Sequence, residues 1–105
     1  MILIKPNIYR MLEQYREYLT QEGLTSKERA KQKVDLIYQA LNDNLGRMLK
    51  HRPSPYKELG KDNDCLLYVY KDTKSKTQWG FAYKLFDEDN VIVYYMRNLK
   101  LIKEN

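Results

Sequence analysis

The feature of this sequence that most constrains its fold is a change in the spacing of apolar residues near Asp64. Before this point apolar side chains recur every three or four residues, and after it they alternate with other residues. The first spacing places side chains on one face of a helix, and the second places them on one face of a strand. The change therefore predicts helices followed by strands, which is an α+β arrangement.

Two helical stripes precede the change. The first helix is predicted to begin with Asn7 as its N-cap, and Gly23 is placed just after its end, where a positive φ is often required. The second helix is predicted to begin at a capping box formed by Thr25 and Glu28. The stripes consist of Ile8, Met11, Leu12, Tyr15 and Leu19, and then of Ala30, Val34, Ile37, Tyr38, Leu41 and Leu45. The short connection between them predicts an antiparallel helix hairpin.

Strands are predicted on both sides of the hairpin. Residues 2–4 form a short apolar run that Pro6 ends, because proline cannot donate to a strand ladder. Three more strands are predicted at 66–70, 79–85 and 91–96, joined by polar turns. Because Pro53 and Pro55 prevent the second helix from continuing, residues 51–60 are predicted to be an exposed loop. The predicted fold is one domain, residues 1–105, with an N-terminal strand, a helix hairpin and an antiparallel three-stranded meander packed on the helices.

The two faces of the predicted meander differ in the size of their side chains. The larger residues Trp79, Phe81, Tyr83 and Leu85 suit the face that the helices cover. The intervening residues Gly80, Ala82 and Lys84 would then line an open face. Tyr94 and Tyr95 are predicted to point to opposite faces of their strand, so that the exposed one could stack on a nucleic-acid base.

Charge and cysteine content narrow the class of protein. The net charge is +5 and the pI is about 9.2, which permits nucleic acid or an acidic protein as a partner. The single cysteine, Cys65, excludes an internal disulfide framework and a multi-cysteine metal site, and it is predicted to be buried. No signal peptide and no apolar run of about 20 residues is visible. We therefore expect a cytoplasmic protein that contacts no membrane and uses no metal or other cofactor.

A basic block lies between the second helix and the meander. From residue 44 to residue 61, Glu58 alone opposes a series of lysines and arginines. The candidate nucleic-acid-binding residues are His51, Arg52, Lys57 and Lys61 from this block, and Lys84 from the predicted open face. The alternative interpretation of the block is a solvated charged surface.

The most specific stretch of the chain is residues 81–96. It has an aromatic strand, an acidic turn at 87–90 and a β-branched strand, after which Arg97 and Lys100 follow. With the helix hairpin ahead of it, this stretch resembles the RelE/ParE toxin superfamily of type II toxin–antitoxin modules. The resemblance implies a cognate antitoxin as partner. RelE-like members cleave messenger RNA on the ribosome without a metal, through the RNA's own 2′-hydroxyl, whereas ParE-like members inhibit DNA gyrase.

The resemblance also implies site residues. Lys71 matches a basic position on one strand, Lys100 matches one near the end, and Arg97 lies close enough to substitute for it, so these three are the candidate catalytic residues. They would neutralise charge on the phosphate. Two positions depart from the RNase pattern: Gly80 stands where RelE-like members carry an arginine, and no tyrosine follows the last strand. On the residues alone, Arg97 and Lys100 could instead guard an edge strand against aggregation.

Three functions remain open at this stage. The leading hypothesis is a toxin-like protein that cleaves ribosome-bound mRNA, with Lys71, Lys84, Arg97 and Lys100 facing the RNA phosphates. The alternative is a non-catalytic binding module of the same fold, either a gyrase-type inhibitor or a degenerate toxin that binds a partner protein, which Gly80 favours. A third is a basic domain that binds nucleic acid for assembly.

Overall fold

Two α-helices, a five-stranded sheet and three short 3₁₀ turns make up the secondary structure of the described residues. The computed structural model describes residues 1–47, 50–72, 77–87 and 90–102. The helices are α1 (Pro6–Gln21) and α2 (Lys27–Asn44), and the strands are β1 (Ile2–Ile4), β2 (Arg52–Pro53), β3 (Leu66–Lys71), β4 (Gln78–Leu85) and β5 (Val91–Asn98). The predicted α+β class is confirmed, and the sheet has one strand more than predicted.

The sheet is mixed, with the strand order β1-β5-β4-β3-β2. β3, β4 and β5 pair antiparallel in chain order, and β2 adds antiparallel to β3. β1 pairs parallel with β5, from Ile2 opposite Val91 to Ile4 opposite Val93. The first and last strands in chain order are thereby neighbours, and the connection between them contains both helices and the other three strands.

Neither helix begins at its predicted cap: the cap of α1 lies two residues earlier than Asn7, and that of α2 lies one residue later than Thr25. Lys5 is the N-cap of α1 and Pro6 is its first residue, where a missing N–H costs nothing. The Asn7 side chain instead donates from Nδ2 to the backbone oxygen of Tyr94, at 3.1 Å. In α2 the cap is Ser26, whose Oγ accepts from the Arg29 N–H at 3.2 Å, so the predicted cap on Thr25 is wrong. The prediction for Gly23 is confirmed, since its φ is +67°.

The main core lies between the helices and the sheet. Both helical stripes bury their central residues there, against Trp79, Phe81 and Tyr83 of β4, as predicted. The prediction for Leu85 is wrong: its side chain is 40% exposed, because it is the last residue of β4 and the chain leaves the sheet there.

The opposite face of the sheet, called the second face from here on, carries a core of its own. Its buried members are Leu59, Cys65, Leu67 and Ala82, and the partly buried side chains packed on them are Tyr56, Val69, Tyr95, Leu99 and Ile102. The short 3₁₀ turns Lys57–Leu59 and Leu99–Leu101 thus cover the middle of this face. The predicted open face at Gly80 and Ala82 is therefore wrong, and so is the exposed loop at 51–60, because apolar side chains from both segments are buried on the sheet.

Cys65 is buried in this second core, as predicted, and its burial raises the pKa of the thiol. None of the described helices is both long and apolar enough to cross a membrane.

Candidate functional site

Gly80 lies at the centre of β4, paired with Val69 on one side and Arg97 on the other. A Cβ at this position would be 2.6 Å from Leu99 Cδ2 and 2.7 Å from Leu59 Cδ1. Real Cβ atoms do not approach other carbons this closely, so the two leucines occupy the space that a side chain would need. An arginine at this position would have to displace both leucine side chains, and that of Leu59 is fully buried.

The register of β4 and β5 shifts at Tyr94. Ala82 is opposite Tyr95 while Tyr83 is opposite Val93, so Tyr94 is the extra residue of a β-bulge. Val93 and Met96 both enter the main core, and the two tyrosines between them lie together, with ring centroids 6.3 Å apart. The predicted placement of Tyr94 and Tyr95 on opposite faces is therefore wrong, because a bulge resets the alternation of a strand.

Two lysines flank the ring of Tyr94. The Nζ atom of Lys5 is 5.4 Å from the ring centroid, and that of Lys84 is 5.7 Å from it. Each such contact contributes about 0.5–1 kcal/mol at an exposed site. The two ammonium groups repel each other, so an anion that binds between them gains from both charges.

Apolar side chains continue this surface. Leu3 and Lys84 are both direct cross-strand neighbours of Ile92, which makes a row across β1, β5 and β4. Leu3 is 49% exposed and Phe86, two residues beyond Lys84, is 61% exposed. We call the surface formed by Leu3, Lys5, Lys84, Phe86, Ile92 and Tyr94 the lysine–tyrosine patch. Its strand members Leu3, Lys84 and Ile92 lie on the second face, because the neighbours of Ile92 in the chain, Val91 and Val93, enter the main core.

The candidate catalytic residues lie at the other end of the sheet. Lys71 ends β3, Arg97 is near the end of β5, and Lys100 follows it in the turn Leu99–Leu101. Lys84 is four positions along β4 from Gly80, the partner of Arg97, which is about 13 Å at 3.3 Å per residue. The predicted set of four phosphate-facing residues is therefore split between two ends of the sheet.

The three residues at this basic end differ in their freedom to bind. Lys71 and Lys100 are exposed. The guanidinium of Arg97 instead donates to the backbone oxygen of Met96 at 2.8 Å and lies 3.7 Å from the Met11 sulfur, so it is half-buried between β5 and α1. Arg97 is the member of this set least able to reach a ligand.

His51 lies apart from all of these residues. Its Nδ1 is 2.7 Å from the hydroxyl of Tyr83, whose side chain is fully buried in the main core. Desolvation by burial raises the pKa of Tyr83, so this phenol stays protonated at neutral pH. The pair joins the segment before β2 to the helix-covered side of β4, away from Lys71, Arg97 and Lys100.

The rest of the basic block does not converge either. Arg52 is exposed on β2, opposite Leu67. Lys57 is exposed on the turn Lys57–Leu59, and Lys61 is exposed on the next 3₁₀ turn, Lys61–Asn63. Lys5, Leu3 and Phe86 were missed as site residues by sequence reasoning. These residues come together through the pairing of β1 with β5 and through a β-bulge. Neither feature leaves a pattern in the local sequence.

The chain matches no protein-family model, no curated protein and no solved structure. Its function must therefore follow from the geometry of the described residues. That geometry offers the lysine–tyrosine patch, a basic end with no histidine beside it among the described residues, and a Gly80 covered by two leucines.

Proposed function

We propose that this chain is a toxin-like protein of a type II toxin–antitoxin module that acts by binding a protein partner rather than by cleaving RNA. The observation that carries the proposal is the packing of Leu59 and Leu99 over Gly80. In the RelE-like members that the sequence resembles, an arginine at this position supplies positive charge to the reacting phosphate. Electrostatic catalysis needs donors held where charge develops, and here two leucines occupy that place.

The lysine–tyrosine patch supports the binding part of the proposal. Lys5 and Lys84 present positive charge, and Leu3, Ile92 and Phe86 present apolar surface beside it. Aromatic and apolar anchors supply most of the energy of protein interfaces, while charge steers the partner and sets its register. We propose that an acidic, partly apolar segment of the cognate antitoxin binds here.

The first experiment tests the absence of RNA cleavage. Purified protein is added to ribosomes translating a defined mRNA, and new 5′ ends are mapped by primer extension. We expect intact mRNA. A parallel DNA gyrase supercoiling assay asks whether that enzyme is the protein target. Protein-dependent 5′ ends that disappear in a Lys71→Ala/Lys100→Ala variant would contradict the proposal.

The second experiment tests the patch. A small protein encoded next to this chain's gene is purified as the antitoxin candidate, and its affinity is measured by calorimetry. Lys5→Glu/Lys84→Glu is expected to weaken binding about 10-fold or more, because each charge pair at an interface contributes on the order of 1 kcal/mol and the substitutions turn attraction into repulsion. Lys57→Glu/Lys71→Glu makes the same charge change outside the patch and is the control. Equal affinities of the two double variants would place the interface elsewhere.

A second candidate function is the metal-independent endoribonuclease. The specific observation that favours it is that Lys71, Arg97 and Lys100 share one end of the sheet. These residues could orient a strand and neutralise phosphate charge. The primer-extension experiment above decides between the two candidates.

A further inference from the structure

A cleft of about 770 Å³ opens between the turn end of the helix hairpin and the β3–β4 end of the sheet. This volume lies within the range of about 300–1,000 Å³ typical of small-molecule sites. Its walls are largely aromatic and aliphatic: Tyr15 and Tyr18 come from α1, Leu36 from α2, and Tyr70 and Trp79 from β3 and β4. It lies on the helix side of the sheet and shares no residue with the lysine–tyrosine patch.

The inner wall of the cleft is built by packed rings. Tyr15 and Trp79 meet edge to face, with centroids 5.0 Å apart and planes at 67°. Trp79 is only 8% exposed, so this pair belongs to the core and forms the inner end of the cleft. Tyr18 and Leu36 are each 53% exposed and form the outer wall. They offer apolar surface beside a concave site, which a bound ligand would cover.

Polar groups converge on the same space. Lys33 of α2 bridges to Asp72 beyond β3, with Nζ and Oδ2 3.3 Å apart, and both side chains are partly buried. Burial first, and the Asp72 carboxylate second, raise the pKa values of Tyr15 and Tyr70, so both phenols remain hydrogen-bond donors at neutral pH. Arg29 is exposed at the rim.

The charges indicate the kind of ligand. Among the described residues that line the cleft, Arg29 and Lys33 are cations and Asp72 is the one carboxylate. Because Asp72 already engages Lys33, the charge left to attract a ligand is positive, so the ligand should be an anion. The aromatic walls favour a flat ring system, since rings stack on tyrosine and tryptophan.

We propose that this cleft binds a nucleotide, with its base against Tyr18 and the Tyr15–Trp79 wall and its phosphate at Arg29. Arginine binds phosphate through paired, charge-assisted hydrogen bonds, and Asp72 and the tyrosine hydroxyls can bond sugar or base groups. The nucleotide can be free or can be the end of an RNA strand, since both present the same base and phosphate. The inference is independent of antitoxin binding at the lysine–tyrosine patch.

The chain has a built-in reporter for this site, because Trp79 is its single tryptophan. Tryptophan fluorescence of the intact protein is titrated with the four nucleoside 5′-monophosphates, with the matching nucleosides and with inorganic phosphate. We expect saturable changes with at least one monophosphate and about 10-fold or more weaker binding of its nucleoside, which lacks the charged hydrogen bonds. A short single-stranded RNA with a 5′ phosphate forms a separate arm. Tighter binding of this RNA identifies a strand end, and equal binding identifies a free nucleotide.

Two matched pairs of variants assign the contacts. Arg29→Gln should lower the affinity for the monophosphate to that for the nucleoside, while Arg10→Gln, on the exposed surface of α1, should not. Tyr18→Ala should weaken both ligands about 10-fold through lost stacking. Tyr9→Ala removes a ring of similar exposure, 48% against 53%, from the same helix outside the cleft and should leave binding unchanged.

Three outcomes would overturn the proposal. The first is the absence of a saturable change with any nucleotide or with the RNA. The second is equal binding by each variant and its matched control. The third is loss of antitoxin affinity in Tyr18→Ala without nucleotide binding by the wild type, which would make the cleft part of a protein interface.

Discussion

At the scale of single residues, the packing around Gly80 limits which side chains the middle of the second face can carry. Leu59 and Leu99 reach this position from segments on either side of β4 in the chain. A side chain at residue 80 must therefore displace two buried or half-buried leucines. Glycine is the residue that fits here without displacing either leucine.

Gly80→Arg is expected to lower the free energy of unfolding by about 1–3 kcal/mol, which is the usual cost of overpacking a core. Gly46→Arg is the control, because a Cβ at Gly46 would meet nothing within 4 Å and should change stability by less than about 0.5 kcal/mol. Both values can be measured by urea denaturation. A Gly80→Arg protein as stable as Gly46→Arg would show that the leucines do not fill the site in solution.

Tyr83 gives a pH-dependent prediction. Burial raises its pKa above the usual value of 10.0, so the folded state keeps the proton while the unfolded chain releases it near that value. Its contribution to stability is therefore complete below about pH 10 and is lost as the pH rises further. Tyr83→Phe should make the alkaline loss of stability shallower, and at neutral pH it should cost about 1 kcal/mol through the lost hydrogen bond to His51. Denaturation curves at neutral and alkaline pH measure both effects, and an alkaline profile identical to that of the wild type would refute the assignment.

At the scale of elements, two neighbouring residues, Thr25 and Ser26, could each cap the start of α2. Ser26 accepts the hydrogen bond from the Arg29 N–H, although Thr25 and Glu28 had the spacing of a capping box. A capping box requires extended backbone at the cap residue and helical backbone directly after it. Here that change falls after Ser26, because Thr25 still belongs to the turn, where its N–H bonds to the Leu19 oxygen.

Ser26→Ala is therefore expected to destabilise the protein by about 1 kcal/mol, the typical effect of removing an N-cap. Thr25→Ala should change stability by less than about 0.5 kcal/mol. Thermal unfolding followed by circular dichroism compares the two variants. A larger loss of stability in Thr25→Ala than in Ser26→Ala would show that Thr25 is the N-cap, as the sequence predicted.

At the scale of the whole molecule, the basic residues that the structure describes are distributed rather than aligned. Lys71 and Lys100 are exposed at one end, Lys84 is held over the Tyr94 ring at the other, and the Arg97 guanidinium is engaged with Met96 and α1. Although the net charge is +5, the basic side chains within 1–47, 50–72, 77–87 and 90–102 do not form one continuous path for a phosphate backbone.

Binding of single-stranded RNA should therefore depend only weakly on salt. Two contacts, from Lys71 and Lys100, at about −0.7 each give a slope of about −1.4 for log K against log salt. Fluorescence anisotropy of a labelled RNA at several salt concentrations measures this slope. A slope near −3, as for four contacts, would mean that Lys84 and Arg97 also face the strand.

Local patterns determined the coarse architecture of this protein. The spacing of apolar residues predicted two helices followed by strands, and it placed Ile8, Leu12, Ile37 and Leu41 in the core, where they lie fully or almost fully buried. These features follow from periodicity and chain stereochemistry, which act over a few residues and can be read directly from the sequence.

Contacts between distant segments decided the rest. The pairing of β1 with β5, the bulge at Tyr94 and the cover of Gly80 by Leu59 and Leu99 each join residues far apart in the chain. No local pattern records such contacts, because they are selected by how well whole surfaces fill space together. The β1–β5 pairing and the bulge bring Lys5 and Lys84 to one ring, and the packing of the helix hairpin beside β3 and β4 forms the cleft next to Trp79. The candidate sites therefore exist only in the tertiary structure.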